Sequence, residues 1–154
     1  MTKNGIKEGI KVNGEKTKIA IVLPYFNEEL GLEIFKNTKE ELLKNYVQEK
    51  NIKLFRCAGT LEIPFICKKI IEKHKPDAII ALGIVIRGET SHFDLVTQTT
   101  YDGLMSLQMT KNTPIIFGIL ACENEKQVKD RVLKNKLNKG KEYAMAALLQ
   151  TNFK

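Results

Sequence analysis

The chain has 154 residues, the length of one ordinary domain, so a second catalytic domain is not expected. Its hydrophobic content of 43% is enough to build a core and excludes intrinsic disorder as the main state. The 25 lysines and arginines against 18 aspartates and glutamates give a formal net charge of +7, which suits RNA, a phosphorylated small molecule or solubility alone.

The N-terminal segment, residues 1–17, contains Gly5, Gly9 and Gly14 and little apolar material. A segment with so little apolar surface does not form a core of its own. We expect it to be an arm or edge strand that packs on something else, ahead of a single domain spanning residues 18–154.

Four short apolar runs predict β-strands at Lys18–Leu23, Ile52–Cys57, Ala78–Ile86 and Pro114–Leu120. The first, third and fourth are almost continuously apolar rather than alternating. Strands that are buried on both faces of a parallel sheet have this pattern.

The first helix is predicted to begin after Asn27, a good N-cap residue, with Glu28 and Glu29 in the first turn where the helix dipole favours acids. Its apolar side chains recur on one face, which we expect to point inward. The members of this stripe are Ile34, Phe35, Leu42, Leu43, Tyr46 and Val47.

The second helix has apolar residues at three- and four-residue spacing, with Pro64 in its first turn and Pro76 after its end. These apolar residues are Ile63, Ile66, Cys67, Ile70 and Ile71.

The remaining helices are predicted from their N-terminal residues. A third helix should start near Ser91, with Asp94 as the partner in a capping-box-like pair. A fourth should start near Asn124, with Gln127 in the same role, and a last helix should run from about residue 138 to 149.

The order of elements is therefore β-α-β-α-β-α-β-α-α. Such alternation predicts an α/β fold with a parallel sheet, right-handed crossovers and helices on both faces.

The cysteines and apolar segments indicate the compartment. Cys57, Cys67 and Cys122 are odd in number and form no C-x-x-C motif, so neither a disulfide framework nor a zinc site is expected. The longest apolar stretch, Ala78–Ile86 with Gly83 inside it, is too short to span a membrane. No secretion signal is recognisable. We expect a cytoplasmic protein that does not bind membranes.

Unusual residues follow each predicted strand, in the loops at 24–27, 58–62, 87–92 and 121–124. Ligands bind beyond the carboxyl ends of the strands in open α/β sheets. We therefore expect the functional site where these four loops converge.

The loop at 87–92 resembles a phosphate-binding loop, because four residues separate Gly83 from Gly88. Glu89 stands where such a loop needs lysine, which disfavours a nucleoside triphosphatase. The backbone N–H groups at the following helix N-terminus still favour an anion. The pattern predicts a bound phosphate monoester.

His92 lies in the first turn of that helix, where the positive helix end favours the neutral imidazole, able to accept a proton. An exposed histidine without a role fits the spacing equally well.

Three further side chains have two interpretations each. Phe26 is either a hydrophobic staple or a ring that stacks on a heterocycle. Glu62 either complements the helix dipole or accepts ligand hydroxyl groups. Arg131 is either a solvated charge or a bidentate phosphate ligand.

The run 129–141 is rich in basic residues, and such a run is most often a solvated face. It lacks the interleaved aromatic residues of an RNA-binding site, so no nucleic-acid partner is expected.

Four stretches of this sequence resemble the 6,7-dimethyl-8-ribityllumazine synthase family. They are Gly59–Pro64, Ala81–Asp94 with its Ile-Arg-Gly-x-Thr-x-His-Phe-Asp string, Pro114–Leu120 and Asn138–Gly140. The similarity extends from about residue 19 to 149. It implies a flavodoxin-like, single-domain three-layer sandwich with a four-stranded parallel sheet.

The resemblance also implies an activity. Members of the family are transferases of riboflavin biosynthesis that use no cofactor and no metal. They condense 5-amino-6-(D-ribitylamino)uracil with 3,4-dihydroxy-2-butanone 4-phosphate, through a Schiff base, elimination of phosphate and ring closure. The products are the lumazine, phosphate and water. The alternative is a non-catalytic flavin- or lumazine-binding module of the same fold.

By resemblance, the site residues fall into three groups. The first binds the pyrimidine and the ribityl chain: Phe26, Gly59, Thr60, Leu61, Glu62, Ile84, Val85 and Ile86. The second lies at the phosphate and the reacting atoms: Glu89, Thr90 and the proton-transferring His92. The third comes from a neighbouring subunit: Phe117, Lys139 and the catalytic, phosphate-binding Arg131.

The resemblance further implies a homopentamer, with the N-terminal arm pairing with a neighbour's sheet and riboflavin synthase as the pathway partner. Some family pentamers form icosahedral shells. Two features depart from the family pattern: Leu61 replaces an aromatic residue, and residues 132–137 lack an Ala-Gly-Thr-Lys-Ala-Gly run near the shell-forming junction. Whether a shell forms therefore stays open.

Overall fold

Four parallel strands form one sheet in the computed structural model, which describes residues 5–6 and 9–153. The strands are β1 (Ile19–Pro24), β2 (Ile52–Cys57), β3 (Ala78–Ile86) and β4 (Ile115–Cys122), in the spatial order β2-β1-β3-β4. All four predicted strands are confirmed, with ends that move by two residues at most.

The helices are α1 (Glu28–Lys44), α2 (Ile63–His74), α3 (His92–Lys111), α4 (Glu125–Val132) and α5 (Lys139–Thr151). Short 3-10 turns at Glu49–Asn51 and Thr60–Glu62 precede β2 and α2. The predicted β-α alternation is confirmed. None of the helices in the described residues is long and apolar enough to cross a membrane.

Two cores lie on the two faces of the sheet. Helices α1, α4 and α5 cover one face, with Ile21, Leu82 and Val128 in its core. Helices α2 and α3 cover the other, with Val22, Cys67 and Leu104 in its core. Alternate strand residues supply the two cores, because successive side chains of a strand point to opposite faces. The predicted three-layer α/β sandwich is therefore confirmed.

The register leaves a step at the carboxyl edge of the sheet. Val22 lies opposite Ala81, so β1 ends while β3 continues for several residues. Strand β4 accompanies β3 to its end, where Ile86 lies opposite Cys122. The backbone of residues 84–86 on the β1 side is therefore beyond any strand pairing found in the described residues, and it faces the loops that follow β1 and β2.

Helix α1 corrects part of the predicted inward stripe. Ile34, Leu42 and Val47 are buried, but Leu43 is 41% exposed and Tyr46 is 69% exposed. Leu43 lies inside the helix, next to buried Leu42, and points to the solvent side. Tyr46 lies beyond the helix, which ends at Lys44, and the chain turns there with a φ of 69° at Tyr46. The turn rotates Tyr46 outward and puts Val47 into the core instead.

The N-terminal arm contacts its own chain in part. The Gly14 N–H donates to the Asn45 carbonyl oxygen at 2.7 Å, and a Cβ on Gly14 would collide with Val47. Val12 packs against the core on the α1 face. The described residues of the arm, 5–6 and 9–17, form no strand, and residues 1–4, 7 and 8 lie outside the described residues. Pairing of the arm with a neighbour's sheet stays a prediction.

Candidate active site at the carboxyl edge of the sheet

The loops after β1 and β2 contact each other through Phe26 and Gly59. A Cβ on Gly59 would lie 3.0 Å from a ring carbon of Phe26, tighter than most side-chain contacts, so a larger residue would push the ring away. The Tyr25 N–H extends the pairing by donating to the Cys57 carbonyl oxygen at 2.9 Å. The Phe26 ring is nevertheless 71% exposed. It presents an aromatic surface on which a flat heterocycle can stack.

Glu62 lies beside this ring at the start of α2. Its Oε2 accepts a hydrogen bond from the Gly59 N–H at 2.9 Å, so the side chain caps the turn that leads into the helix. The residue is exposed, and a carboxylate has further acceptor positions. The two interpretations of Glu62 are therefore compatible: it can cap the turn and accept ligand hydroxyl groups together. Of its neighbours, Thr60 is buried and Leu61 is 46% exposed.

Asn27 does not cap α1 as predicted. It has a φ of 57°, makes no side-chain cap, and donates through Nδ2 to the Ile84 carbonyl oxygen at 3.0 Å. The step in the sheet explains this, because β3 extends past β1 and leaves that carbonyl without a strand partner. Ile84 is buried, whereas Val85 and Ile86 are half-buried at the tip of β3.

The loop between β3 and α3 is open to solvent. Its residues Gly88, Glu89, Thr90, Ser91 and His92 are all exposed, and a Cβ on Gly88 would touch nothing within 4 Å. Thr90 Oγ1 accepts a hydrogen bond from the His92 N–H at 3.3 Å. This helix N-terminus can accept an anion, because its first N–H groups have no partner within the helix.

The predicted capping pair of Ser91 and Asp94 is wrong. Ser91 makes no side-chain cap, and the Asp94 carboxylate accepts two hydrogen bonds from the Arg87 guanidinium at 3.0 and 3.1 Å. Arg87 gives the Asp94 carboxylate two charge-assisted bonds, whereas a capping pair would give it one, so the arginine determines the position of Asp94. By contrast, Asn124 caps α4, accepting from the Gln127 N–H at 2.9 Å.

Three predicted site residues lie away from this group. Phe117 is in the middle of β4, with its ring 5.5 Å from that of Tyr101. Arg131 is on α4 and donates to the Gln127 carbonyl oxygen of its own helix at 2.9 Å. Lys139 is buried at the start of α5 and contacts Glu142 at 2.6 Å.

Arg131 and His92 belong to opposite sides of the sheet. Helix α4 packs with α1 and α5, whereas α3 packs with α2 on the other face. Within the described residues, no hydrogen bond or ion pair joins Arg131 or Lys139 to Phe26, Glu62 or His92. One chain therefore brings Phe26 and Glu62 together at Gly59, with the β3–α3 loop at the same edge of the sheet, but it does not bring Phe117, Arg131 and Lys139 to them.

Half of the basic residues in the run 129–141 are neutralised by ion pairs. Three of its six basic side chains contact a carboxylate at 2.6 to 2.7 Å. The pairs are Lys129–Glu125, Lys134–Glu40 and Lys139–Glu142. This favours the prediction of a solvated face over a site for RNA.

The buried cysteines are poor nucleophiles. Burial raises the pKa of the Cys57 thiol to about 11 and that of Cys67 to about 12. Both thiols stay protonated at neutral pH, and the thiolate is the reactive form. Among the described residues, no three His, Cys, Asp or Glu side chains are grouped as metal ligands would be.

Sequence reasoning missed two residues that shape this edge. Asn27 was assigned to the helix cap rather than to β3, and Arg87 was given no role. Arg87 precedes Asp94, in the first turn of α3, by seven residues. This spacing across a short loop is the sequence signal that could have indicated their ion pair.

Comparisons with known proteins agree with this geometry. Residues 16–154 match the family model described as 6,7-dimethyl-8-ribityllumazine synthase. A protein of that name from Kosmotoga olearia is 40% identical over 141 residues, covering 92% of this chain and 90% of the relative. One from Thermococcus kodakarensis is 40% identical over 139 residues, covering 90% and 87%. One from Thermococcus onnurineus is 41% identical over 139 residues, covering 90% of each chain. The chain therefore belongs to the 6,7-dimethyl-8-ribityllumazine synthase family.

Proposed function

We propose that the protein is a cofactor-independent transferase that condenses 5-amino-6-(D-ribitylamino)uracil with 3,4-dihydroxy-2-butanone 4-phosphate. The products are 6,7-dimethyl-8-ribityllumazine, phosphate and water. The observation that carries the proposal is that Phe26 and Glu62 both lie against Gly59 at the carboxyl edge of the sheet, in a chain of this family. It supports binding of a flat ring and of hydroxyl groups at the edge that also carries the open β3–α3 loop.

The pyrimidine binds at the end of β1 and β2. Phe26 stacks on its ring, and the backbone of residues 59–62 and 84–86 supplies hydrogen-bonding groups to its edge. The β1 side of the tip of β3 supports this role, because it extends beyond the pairing with β1 and, among the described residues, only the Ile84 carbonyl is bound there by Asn27. Glu62 accepts from the ribityl hydroxyl groups, for which its exposed carboxylate has free acceptor positions.

The phosphate of the ketone binds at the N-terminus of α3. That helix has 20 residues, so its N-terminal N–H groups carry a substantial partial positive charge. Glu89 and Thr90 supply backbone N–H groups, and Thr90 also supplies its hydroxyl. Glu89 is exposed, and its carboxylate must point away from the phosphate to avoid repulsion.

His92 moves protons at the reacting atoms. The amine of the pyrimidine attacks the ketone carbonyl, and loss of water gives the Schiff base. Removal of a proton then drives elimination of phosphate. The ribitylamino nitrogen closes the ring by attacking the neighbouring carbonyl that this elimination leaves, and a second water departs. The His92 ring is exposed beside the phosphate loop, where a neutral imidazole can accept a proton. Much of the remaining acceleration comes from holding the two substrates together, which can contribute about 7–11 kcal/mol.

A neighbouring subunit completes the site with Phe117, Arg131 and Lys139. The α3–α4 geometry supports this, because Arg131 and His92 of one chain belong to opposite faces of the sheet. Helix α3 also exposes Leu95, Met105 and Met109, which are 65%, 49% and 75% exposed. Apolar side chains grouped on one helix favour a protein interface.

We propose a homopentamer as the assembly, with a shell of pentamers as a further possibility in this family. Binding of phosphate at the α3 N-terminus and a cytoplasmic location belong to the same proposal. Riboflavin synthase is the pathway partner that consumes the product.

The test is to incubate the purified protein with both substrates and follow lumazine absorbance and phosphate release. His92→Ala should lower kcat by about 100-fold, the low end of general acid–base contributions, because solvent reaches the exposed ring and replaces it in part. Affinity for the pyrimidine should be unchanged. Binding of lumazine without turnover in the unaltered protein would contradict the proposal and identify a binding module instead. An unchanged kcat in His92→Ala would remove His92 from proton transfer.

A further inference from the structure

Arg87 is the centre of a cluster at the end of β3 that the reaction, as described above, does not use. Its guanidinium donates to both Asp94 carboxylate oxygens, at 3.0 and 3.1 Å, and to Glu123 Oε2 at 2.8 Å. The same guanidinium carbon lies 4.2 Å from the centre of the Phe93 ring. We refer to Arg87, Phe93, Asp94 and Glu123 as the Arg87 cluster.

The cluster closes the β3–α3 loop at its two ends. Arg87 is the residue after β3, and Asp94 is in the first turn of α3, so their pairing joins the start of the loop to its end. Glu89, Thr90 and His92 lie between them. The exposed loop residues make few contacts of their own, and Gly88 has open space around its Cα. Without this pairing, the loop would have little to fix its conformation.

The cluster also joins the loop to β4. The Arg87 N–H donates to the Cys122 carbonyl oxygen at 2.9 Å, and the Arg87 side chain pairs with Glu123, the residue after β4. Phe93 is only 8% exposed, so the ring beneath the guanidinium is fixed in the fold. Arg87 therefore connects an exposed, glycine-containing loop to two strands of the sheet and to a buried ring.

The ionisation of the pair favours a persistent contact. The hydrogen bonds from Arg87 hold the pKa of Asp94 below its usual 3.8. A carboxylate with a lowered pKa in the folded state contributes to stability above its ordinary pKa and loses that contribution as the pH falls through the lowered value. The contact is therefore intact throughout the neutral range.

We propose that Arg87 is a positioning residue for the phosphate-binding loop: through Asp94 and Glu123 it fixes the N–H groups of residues 89–92 and the His92 ring relative to β4. The inference rests on the proposed function for the identity of the anion. It adds a group that touches neither substrate and acts through the loop.

The sharpest test removes a negative charge. Asp94→Asn leaves one amide oxygen for Arg87 and removes an anion close to the phosphate site. Simple electrostatics predicts that a phosphate dianion then binds more tightly. Loss of positioning predicts the opposite, because small displacements of the binding groups weaken binding. We expect inorganic phosphate to bind about tenfold more weakly. Titration calorimetry on the assembled protein measures this.

Two matched variants accompany it. Glu123→Gln removes only the charge from the side-chain connection to β4 and should weaken phosphate binding by about threefold, because the Asp94 pair still closes the loop. Glu49→Gln makes the same change in an exposed pair with Lys39, 2.7 Å long, far along the chain from the loop. This variant should leave phosphate binding unchanged.

Kinetics and hydrogen exchange separate positioning from general stability. In Asp94→Asn, the KM for the phosphorylated ketone should rise about tenfold while the KM for the pyrimidine stays the same. Exchange of the amides of residues 88–92 should accelerate, with unchanged exchange in β1. If the unaltered protein shows no turnover, the proposed function fails, but phosphate titration and exchange still test the loop. Equal or tighter phosphate binding in Asp94→Asn, or equal increases of both KM values, would overturn the inference.

Discussion

The two ends of the carboxyl edge of the sheet are built differently. At the β1–β2 end, Phe26 and Glu62 both lie against Gly59 within one chain. At the β3–β4 end, Thr90 and His92 lie on an exposed loop, while Arg131 belongs to a helix on the opposite face. A single chain therefore forms the surface for a flat ring but supplies only N–H groups and a hydroxyl for a phosphate.

This difference indicates where assembly matters. Stacking on Phe26 needs no second subunit, because the ring is already fixed against Gly59. A phosphate dianion gains more from a full positive charge than from helix N–H groups alone, since charge-assisted bonds are about twice as strong as neutral ones. We therefore expect binding of the pyrimidine to depend little on the neighbouring chain, and binding of the ketone to depend on it strongly.

Substitution of Arg131 should have the largest effect. Arg131→Ala removes the charge that we assign to the phosphate, and hydrogen bonds to charged groups contribute about 1.5–3 kcal/mol. The kcat/KM for the phosphorylated ketone should fall by about 100-fold, with the KM for the pyrimidine within twofold of its original value. Steady-state kinetics with each substrate varied in turn measures the two constants separately.

The control for Arg131→Ala is Lys126→Ala on the same helix. Lys126 is 84% exposed and pairs with Asp130, so its loss removes one positive charge without removing the proposed phosphate ligand. Similar losses for both variants would show that net charge, not Arg131, attracts the ketone. Equal losses for both substrates in Arg131→Ala would reject its assignment to the phosphate.

Mixed assemblies test whether the two groups come from different chains. Arg131→Ala and His92→Ala subunits should each be nearly inactive alone. If a site takes His92 from one subunit and Arg131 from its neighbour, about a quarter of the sites in an equal mixture are intact, as in a head-to-tail ring. The activity should therefore rise about 25-fold over either parent.

Co-expression of the two variants with different tags, followed by tandem purification, gives the mixed assembly. Each variant co-expressed with a tagged copy of itself is the control for any effect of the tags. A mixture no more active than its parents would place both residues of each site in one chain and would remove the assembly argument from the mechanism.

The fold was largely predictable from the sequence because it depends on contiguous runs. Ala78–Ile86 is so uniformly apolar that only a strand buried on both faces fits, and β3 has these bounds. The order of elements then determines the edge at which the loops converge. The Phe26, Gly59 and Glu62 group follows from that topology, since neighbouring parallel strands end side by side.

Other features depend on distances that the sequence does not contain. Asn27 fits a helix cap by pattern, but its amide bonds to Ile84 because β3 is longer than β1. Asp94 fits a capping box by spacing, but an arginine outside the motif competes for its carboxylate. Tyr46 fits the inward stripe by spacing, but the helix ends at Lys44 and the following turn points the side chain outward. In each case a tertiary contact or a turn outweighs a local preference.

Substitution of Phe26 should have the smallest effect and should fall on the other substrate. Stacking of an aromatic side chain on a base contributes about 1–3 kcal/mol. The low end applies here because the Phe26 ring is largely exposed to solvent. Phe26→Ala should therefore raise the KM for the pyrimidine about fivefold. The KM for the ketone should not change. Phe153→Ala, which removes a ring that is 84% exposed near the C-terminus, is the matched control. If Phe26→Ala raised the KM for the ketone as much as the KM for the pyrimidine, the two ends of the carboxyl edge would act as one unit. Two independent ends require that each substitution affects the binding of one substrate only.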